Sequence, residues 1–231
     1  MSHIKIRYDF DFGEDSAYFE ICLDPKTLLR SDIESTTFPD WALLDFHQCP
    51  DCPVLKEDHP HCPVAVNLIP LIDTCGDLAS YDEATIKVTT NERQYAAHTT
   101  VQRGVSSLLG LLMATSACPN MNFLRPMARF HLPFASDEET TFRAVSTYLM
   151  FQYYEIHSGK NADLDLEGLS MIYKKLQSVN RAFSSRLKAA CSQDAAVNAV
   201  VLLDLFAKDI PYSIEEKLEE LGYLFESLKN D

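Results

Sequence analysis

No stretch of this chain stays apolar for about 18 residues, the length a membrane-crossing helix requires. The opening residues, MSHIKIRYDFDFGEDS, lack the apolar run and the small-residue cleavage site of a secretory signal. Both absences point to a cytoplasmic protein that does not insert into a membrane. Basic residues are scarce as well, with 20 Lys and Arg against 34 Asp and Glu and a net charge of −14. Binding to a phosphate backbone gains much of its free energy when a basic surface displaces condensed counterions into solution, so general nucleic-acid binding is disfavoured. Short catalytic signatures are missing too. The P-loop spacing, G-x-G-x-x-G, H-E-x-x-H and G-x-S-x-G do not occur, and Gly104 with Ser106 and Ser107 does not replace the first of them.

What the chain does have is periodicity. Residues 3–12 alternate, with Ile4, Ile6, Tyr8, Phe10 and Phe12 on one face and Lys5, Arg7, Asp9 and Asp11 on the other. Period two in β-branched and aromatic residues predicts a half-buried strand, and residues 17–23 predict its return in a hairpin. A second hairpin is expected over 84–90 and 93–101, around Asn91 and Glu92. Pro63 suits the first position of a helix that Pro70 should kink or end. Beyond residue 101 the pattern is almost wholly helical. Ser136 with Glu139, and Ser213 with Glu216, have capping-box spacing. The second should open a final helix with an apolar stripe of Ile214, Leu218, Leu221, Phe225 and Leu228. The fold class is therefore α+β: a small antiparallel sheet of two hairpins packed on a mostly helical C-terminal region. Residues 1–101 form the β-rich part and 102–231 the helical part of one compact unit.

Between the first hairpin and Pro63 lies a proline-rich segment with no period. Its end reads HQCPDCPVLKEDHPHCP, residues 47–63, with three of the seven cysteines. Cys49 and Cys52 are spaced C-x2-C, and His59 and Cys62 follow as H-x2-C. A Cys3His set of this kind suits tetrahedral zinc, because thiolate and imidazole select Zn2+ over Mg2+ or Ca2+. His61 is an alternate fourth ligand and His47 a weaker one. Such a site within residues 45–63 would be closed and structural. A redox C-x-x-C and a metal-free thiol-rich turn are the alternatives. Cys-Pro pairs recur at Cys49, Cys52, Cys62 and Cys118, a pattern also compatible with haem ligation. An odd cysteine count in a reducing compartment argues against a disulfide framework.

Two further groups stand out. Arg125, Arg129 and His131 lie in an apolar context, and with His98 and Arg103 they could grip a carboxylate or phosphate. Residues 169–192 contain no acid. On helical spacing Lys174, Arg181 and Lys188 line one stripe, a docking face for an acidic protein partner or a plain solvated face.

The stretches CPDCPV, HCPVAVNLIPLI, SSLLGLLMATSACP and FLRPMARFHLPFAS resemble an uncharacterised bacterial family of the domain-of-unknown-function kind. The resemblance spans roughly residues 46–155 and implies a bacterial cytoplasmic protein, with no activity or substrate attached. The leading expectation is a non-enzymatic binding or regulatory protein with a structural zinc. The alternative is an enzyme or small-ligand sensor that uses the arginine and histidine group at residues 98–131.

Overall fold

The computed structural model describes residues 3–33, 37–75, 78–191 and 194–229. Its sheet is built from the two expected hairpins. Strands β1 (Ile4–Asp11) and β2 (Ser16–Leu23) pair antiparallel, as do β3 (Glu83–Thr90) and β4 (Gln94–Thr100). The hairpins join through β1 and β3, again antiparallel, in the order β2-β1-β3-β4. Alternation sets the two faces. Ile4, Ile6, Tyr8 and Phe10 are buried with Phe19, Ile21, Leu23, Ile86 and Val88. The opposite face is polar, where Arg7 pairs with Asp9 and Lys5 with Glu20.

Helices cover the apolar face. They are α1 (Pro63–Cys75), α2 (Val101–Ala114), α3 (Arg125–Arg129), α4 (Asp137–His157), α5 (Glu167–Ala190) and α6 (Ala195–Glu220). Helix α2 lies close against the sheet because of Gly104. A Cβ there would collide with Ile86 Cδ1 and would come within 2.9 Å of Phe10 Cε1. One apolar cluster runs from Ile4 to Ala207 and draws on strands and helices alike. No helix among the described residues is long and apolar enough to cross a membrane.

The caps follow the sequence in one case and depart from it in another. Ser136 Oγ accepts the Glu139 N–H at 3.1 Å, and Ser136 N–H donates to Glu139 Oε2 at 2.8 Å, so the capping box opens α4. No helix opens at Ser213, which lies inside the continuous α6. The expected stripe then holds for Leu218 and Leu221, which pack inward, while Phe225 and Leu228 are exposed. Ile214 lies outside the residues whose side chains are described. After Glu220 the chain tightens into a 3-10 helix, Leu221–Lys229, and three residues per turn rotate an α-helical stripe out of register. Helix α1 likewise runs past Pro70 to Cys75. Pro70 is on its exposed side, where water can take up the carbonyl left by the missing N–H.

Candidate functional sites: a thiol cluster and an apolar cavity

Among the described residues of the segment from 24 to 61 there is little regular structure, a short 3-10 helix at Asp40–Ala42 and two isolated bridges, one joining Leu43 to His61. It is held by backbone contacts. Cys62 N–H donates to Ala42 O at 2.9 Å and Leu44 N–H donates to Pro60 O at 2.9 Å. Arg186, on α5 and 2% exposed, braces the same strip. Its Nη1 donates to the carbonyls of Trp41 and Leu43, and its Nη2 reaches Leu44 O at 3.4 Å. Its Nε has no hydrogen-bond partner among the described residues. The guanidinium also lies 5.4 Å from the Phe183 ring centre and 5.7 Å from that of Phe46. Among the described residues no carboxylate forms an ion pair with it. Burial pushes Arg186 below its ordinary value, and the nearby Cys62, Cys49, Cys52 and the Asp45 carboxylate oppose that shift.

Cys49, Cys52 and Cys62 lie near Arg186, and Cys118 lies near these three cysteines. Cys52 N–H donates to Cys49 O at 3.1 Å in a tight turn. Cys62 is buried just before α1. Cys118, equally buried, precedes the 3-10 helix Pro119–Leu124. Every pair among Cys49, Cys52, Cys62 and Cys118 is near enough to interact electrostatically. Burial raises the Cys49 thiol to about 12 and the Cys118 thiol to about 11, and raises Cys62 as well. Backbone N–H groups of Ala65 and Val64 favour the Cys62 thiolate, and those of Asn120 and Met121 favour the Cys118 thiolate. The histidines expected as fourth ligands stand as follows. His59 is exposed, His47 is exposed beside Phe46, and the His61 ring meets Phe38 edge-on at 4.9 Å. As the side chains stand, no group of three or more His, Cys, Asp or Glu among the described residues could hold a metal ion. The thiols are neighbours rather than a closed shell.

The second site is a cavity of about 760 Å3 between α2, α4, α5, α6 and the loop after α3. Its walls are mostly apolar, with Leu111, Met121, Leu124 and Leu203 among them. Polar groups enter at His131, Ser107, Arg103 and Arg143. Tyr8, on the buried face of β1, reaches the wall through two hydrogen bonds. Its hydroxyl donates to Ser107 Oγ at 3.1 Å and lies 2.6 Å from His131 Nε2. With Tyr8 donating to Ser107, the His131 tautomer that satisfies both contacts carries its proton on Nε2 and leaves Nδ1 as an acceptor. Enclosure pushes His131 down to about 3, so the ring is neutral at physiological pH.

The loop that carries His131 is pinned from several sides. Phe134 adopts a left-handed backbone conformation with φ of 60°. Its N–H donates to Ser107 Oγ at 3.1 Å and its carbonyl accepts from Arg103 Nη2 at 3.1 Å. Such strain persists only where surrounding bonds hold it. Arg143, on α4, donates through Nη2 to Met127 O at 2.7 Å and to Phe130 O at 3.1 Å. Desolvation lowers Arg143, and no carboxylate among the described residues forms an ion pair with it.

The arginine and histidine group expected at 98–131 is therefore split. Arg103 and His131 line the cavity. His98 is exposed on β4 with Nε2 3.3 Å from Glu83 Oε2. Arg129 lies 3.7 Å from Glu92, and Arg125 donates to Ser116 O at 3.3 Å. Lys174, Arg181 and Lys188 are exposed along α5 as the spacing predicts. Sequence reasoning missed Tyr8, Ser107, Arg143 and Arg186 as site residues. Arg186 carried a readable signal, a cation three residues after Phe183 and seven after Val179 on the apolar stripe of α5.

No curated protein and no solved structure matches the chain. Residues 4–226 match the family described as a domain of unknown function, DUF6901, and the chain belongs to that family.

Proposed function

We propose that this is a binding protein for a small, mostly apolar molecule with an acidic head, held in the cavity beside His131. The cavity carries the reading. Its volume of about 760 Å3 falls within the range of roughly 300–1,000 Å3 usual for small-ligand sites, and a few polar groups interrupt its apolar walls. Arg143 offers a guanidinium of which the two carbonyl contacts engage one nitrogen, and a guanidinium can grip a carboxylate with two parallel bonds. Neutral His131 adds a hydrogen-bonding group without burying a second charge. The braced loop keeps these groups in place before a ligand arrives, which lowers the ordering cost of binding.

The test is a thermal-shift panel of medium-chain and aromatic carboxylic acids, each beside the corresponding alcohol. At 100 times Kd a ligand stabilises by about 2.7 kcal/mol, which raises Tm by about 5–10 °C for a chain of this size. Acids are expected to outperform alcohols, and Arg143→Met to erase that difference. No shift with any member of the panel would reject the reading, and equal shifts with acid and alcohol would reject the acidic head.

A separate observation favours a second reading. Lys174, Arg181 and Lys188 are exposed, and no ion pair among the described residues engages them. In a chain of net charge −14, such a stripe fits an acidic protein partner. The reversal of these charges, described in the Discussion, tests it.

A further inference from the structure

We infer that Cys49, Cys52, Cys62 and Cys118 form a four-thiolate site for one Zn2+, with the buried Arg186 guanidinium as its counter-charge. Backbone contacts place the four cysteines together. The turn of Cys49 and Cys52 is closed by their own hydrogen bond. Cys62 is tied to Ala42 within the strip that Arg186 braces. Asn120, two residues after Cys118, reaches across with Nδ2 3.5 Å from the carbonyl of Asp51, inside the C-x2-C turn. Three segments distant in sequence thus meet at one place, and each brings cysteine.

The sequence sorts the cysteines the same way. The chain has seven, and the four that gather here are the ones followed by proline. Of the others, Cys22 lies on β2 and Cys191 follows α5. Proline at the next position holds φ near −65° and offers no N–H. At Cys62 and Cys118 the amides two and three residues on, Val64 with Ala65 and Asn120 with Met121, favour the thiolate, while Cys52 Sγ lies 3.9 Å from the Val54 carbonyl. Amide donors of this kind favour a thiolate over a thiol.

Arg186 supplies the second, independent observation. A buried cation without an ion-paired carboxylate is costly: the carboxylate whose charge reaches it, Asp45, is exposed and paired with Lys56, and the three carbonyl acceptors of Arg186 give it only partial charges. Four thiolates with one Zn2+ carry a net charge of about −2, which answers a guanidinium at this position. The balance is simple: Zn2+ binds, four S–H bonds are lost, and four protons pass to solvent. The four side chains do not form a closed shell as they stand, so binding requires them to turn toward one another, chiefly by rotation about their Cα–Cβ bonds. Soft sulfur ligands in a tetrahedral set select zinc or iron–sulfur centres. With all four positions filled by protein sulfur, a closed, structural zinc site fits. It replaces His59 with Cys118 as fourth ligand and is independent of the cavity.

The experiment uses the full chain purified without added metal. Elemental mass spectrometry is expected to find about one zinc per chain. Under a fixed competing chelator, Cys118→Ser and Cys62→Ser should each lose at least about tenfold of the zinc, a loss at the low end of that seen when even the outer shell is altered. His59→Ala and Cys22→Ser should hold it. Should Cys118→Ser fail to fold, the cobalt-substituted wild-type protein gives the answer by its sulfur-to-metal charge-transfer and ligand-field bands, which distinguish four sulfurs from three sulfurs and one nitrogen. Zinc lost with His59→Ala but kept with Cys118→Ser, a three-sulfur cobalt spectrum, iron with labile sulfide in place of zinc, or a metal-free protein with all four thiols open to a thiol reagent would each overturn the inference.

Discussion

Arg143 and Arg186 invite comparison. Both are helical guanidiniums lowered by desolvation, both donate to backbone carbonyls, and neither has a carboxylate partner among the described residues. They differ in what lies beyond those carbonyls. Arg186 is buried beside Phe46 and Phe183 with Cys49, Cys52 and Cys62 near it, whereas Arg143 opens onto a cavity. The same residue with the same backbone acceptors thus serves as a brace in one region and as a receptor in the other. The difference comes from the neighbours, since an enclosed cation must find its counter-charge within the fold and a cation on a cavity wall can take it from a ligand.

The largest effect that would sharpen this contrast is on stability. Arg186→Met leaves the carbonyls of Trp41, Leu43 and Leu44 without their donor, and a loss of about 3–5 kcal/mol is expected, a fall in Tm of roughly 6–20 °C. Arg143→Met releases two carbonyls beside a cavity that water can enter, and should cost about 1–2 kcal/mol. Denaturant titration of both variants checks the order, and equal losses would break the comparison.

Next in size is Gly104→Ala, at about 1–3 kcal/mol, because the added methyl overpacks against Ile86 and Phe10. Helix α2 must then rise from the sheet, and Ser107, one turn on, is expected to draw away from Tyr8. The readout is a loss of cavity binding in parallel with the fall in stability.

His131 gives a smaller, pH-dependent effect. Its folded value of about 3 lies below the ordinary histidine value, so the unfolded chain binds more protons in between. Its contribution is fully present above about pH 6.5 and is lost as pH falls towards 3, at up to about 1.4 kcal/mol per pH unit. Between pH 6 and 4 the wild-type protein should lose stability more steeply than His131→Gln. Parallel slopes would show that the ring is not enclosed.

The smallest change in stability, within about 0.5 kcal/mol, is expected for the triple reversal of Lys174, Arg181 and Lys188 to Glu, since all three are exposed. The same variant should abolish binding to an acidic partner at low salt. Unchanged affinity there would end the docking reading.

The β-hairpins and the cap of α4 were legible because their signals are local. Alternation in Ile4, Ile6, Tyr8 and Phe10 names the buried face, and Ser136 with Glu139 names a helix start, without reference to distant residues. The sites are another matter. Cys118 lies 56 positions from Cys62, and the carbonyls that Arg186 holds are more than 140 positions away. His59 is near Cys62 in sequence, and its side chain is exposed. Tyr8 read as core, and core it is; its hydroxyl acquires a role through Ser107 and His131, which no periodicity in β1 could reveal. Ser213 had the spacing of a cap, but a cap needs the preceding backbone to leave the helix, and there α6 is continuous.

The strand order β2-β1-β3-β4 has a consequence for biosynthesis. The first hairpin is complete once residue 23 has been made, but its inner neighbour β3 ends at Thr90. At about 5–20 residues per second, some 3–13 s of translation separate the two events. For that interval Ile6, Tyr8 and Phe10 have no third strand and no α2 to cover them. The nascent chain therefore carries its most apolar hairpin uncovered while the cysteine-bearing segment is still being added, and this is the window in which a chaperone would meet it.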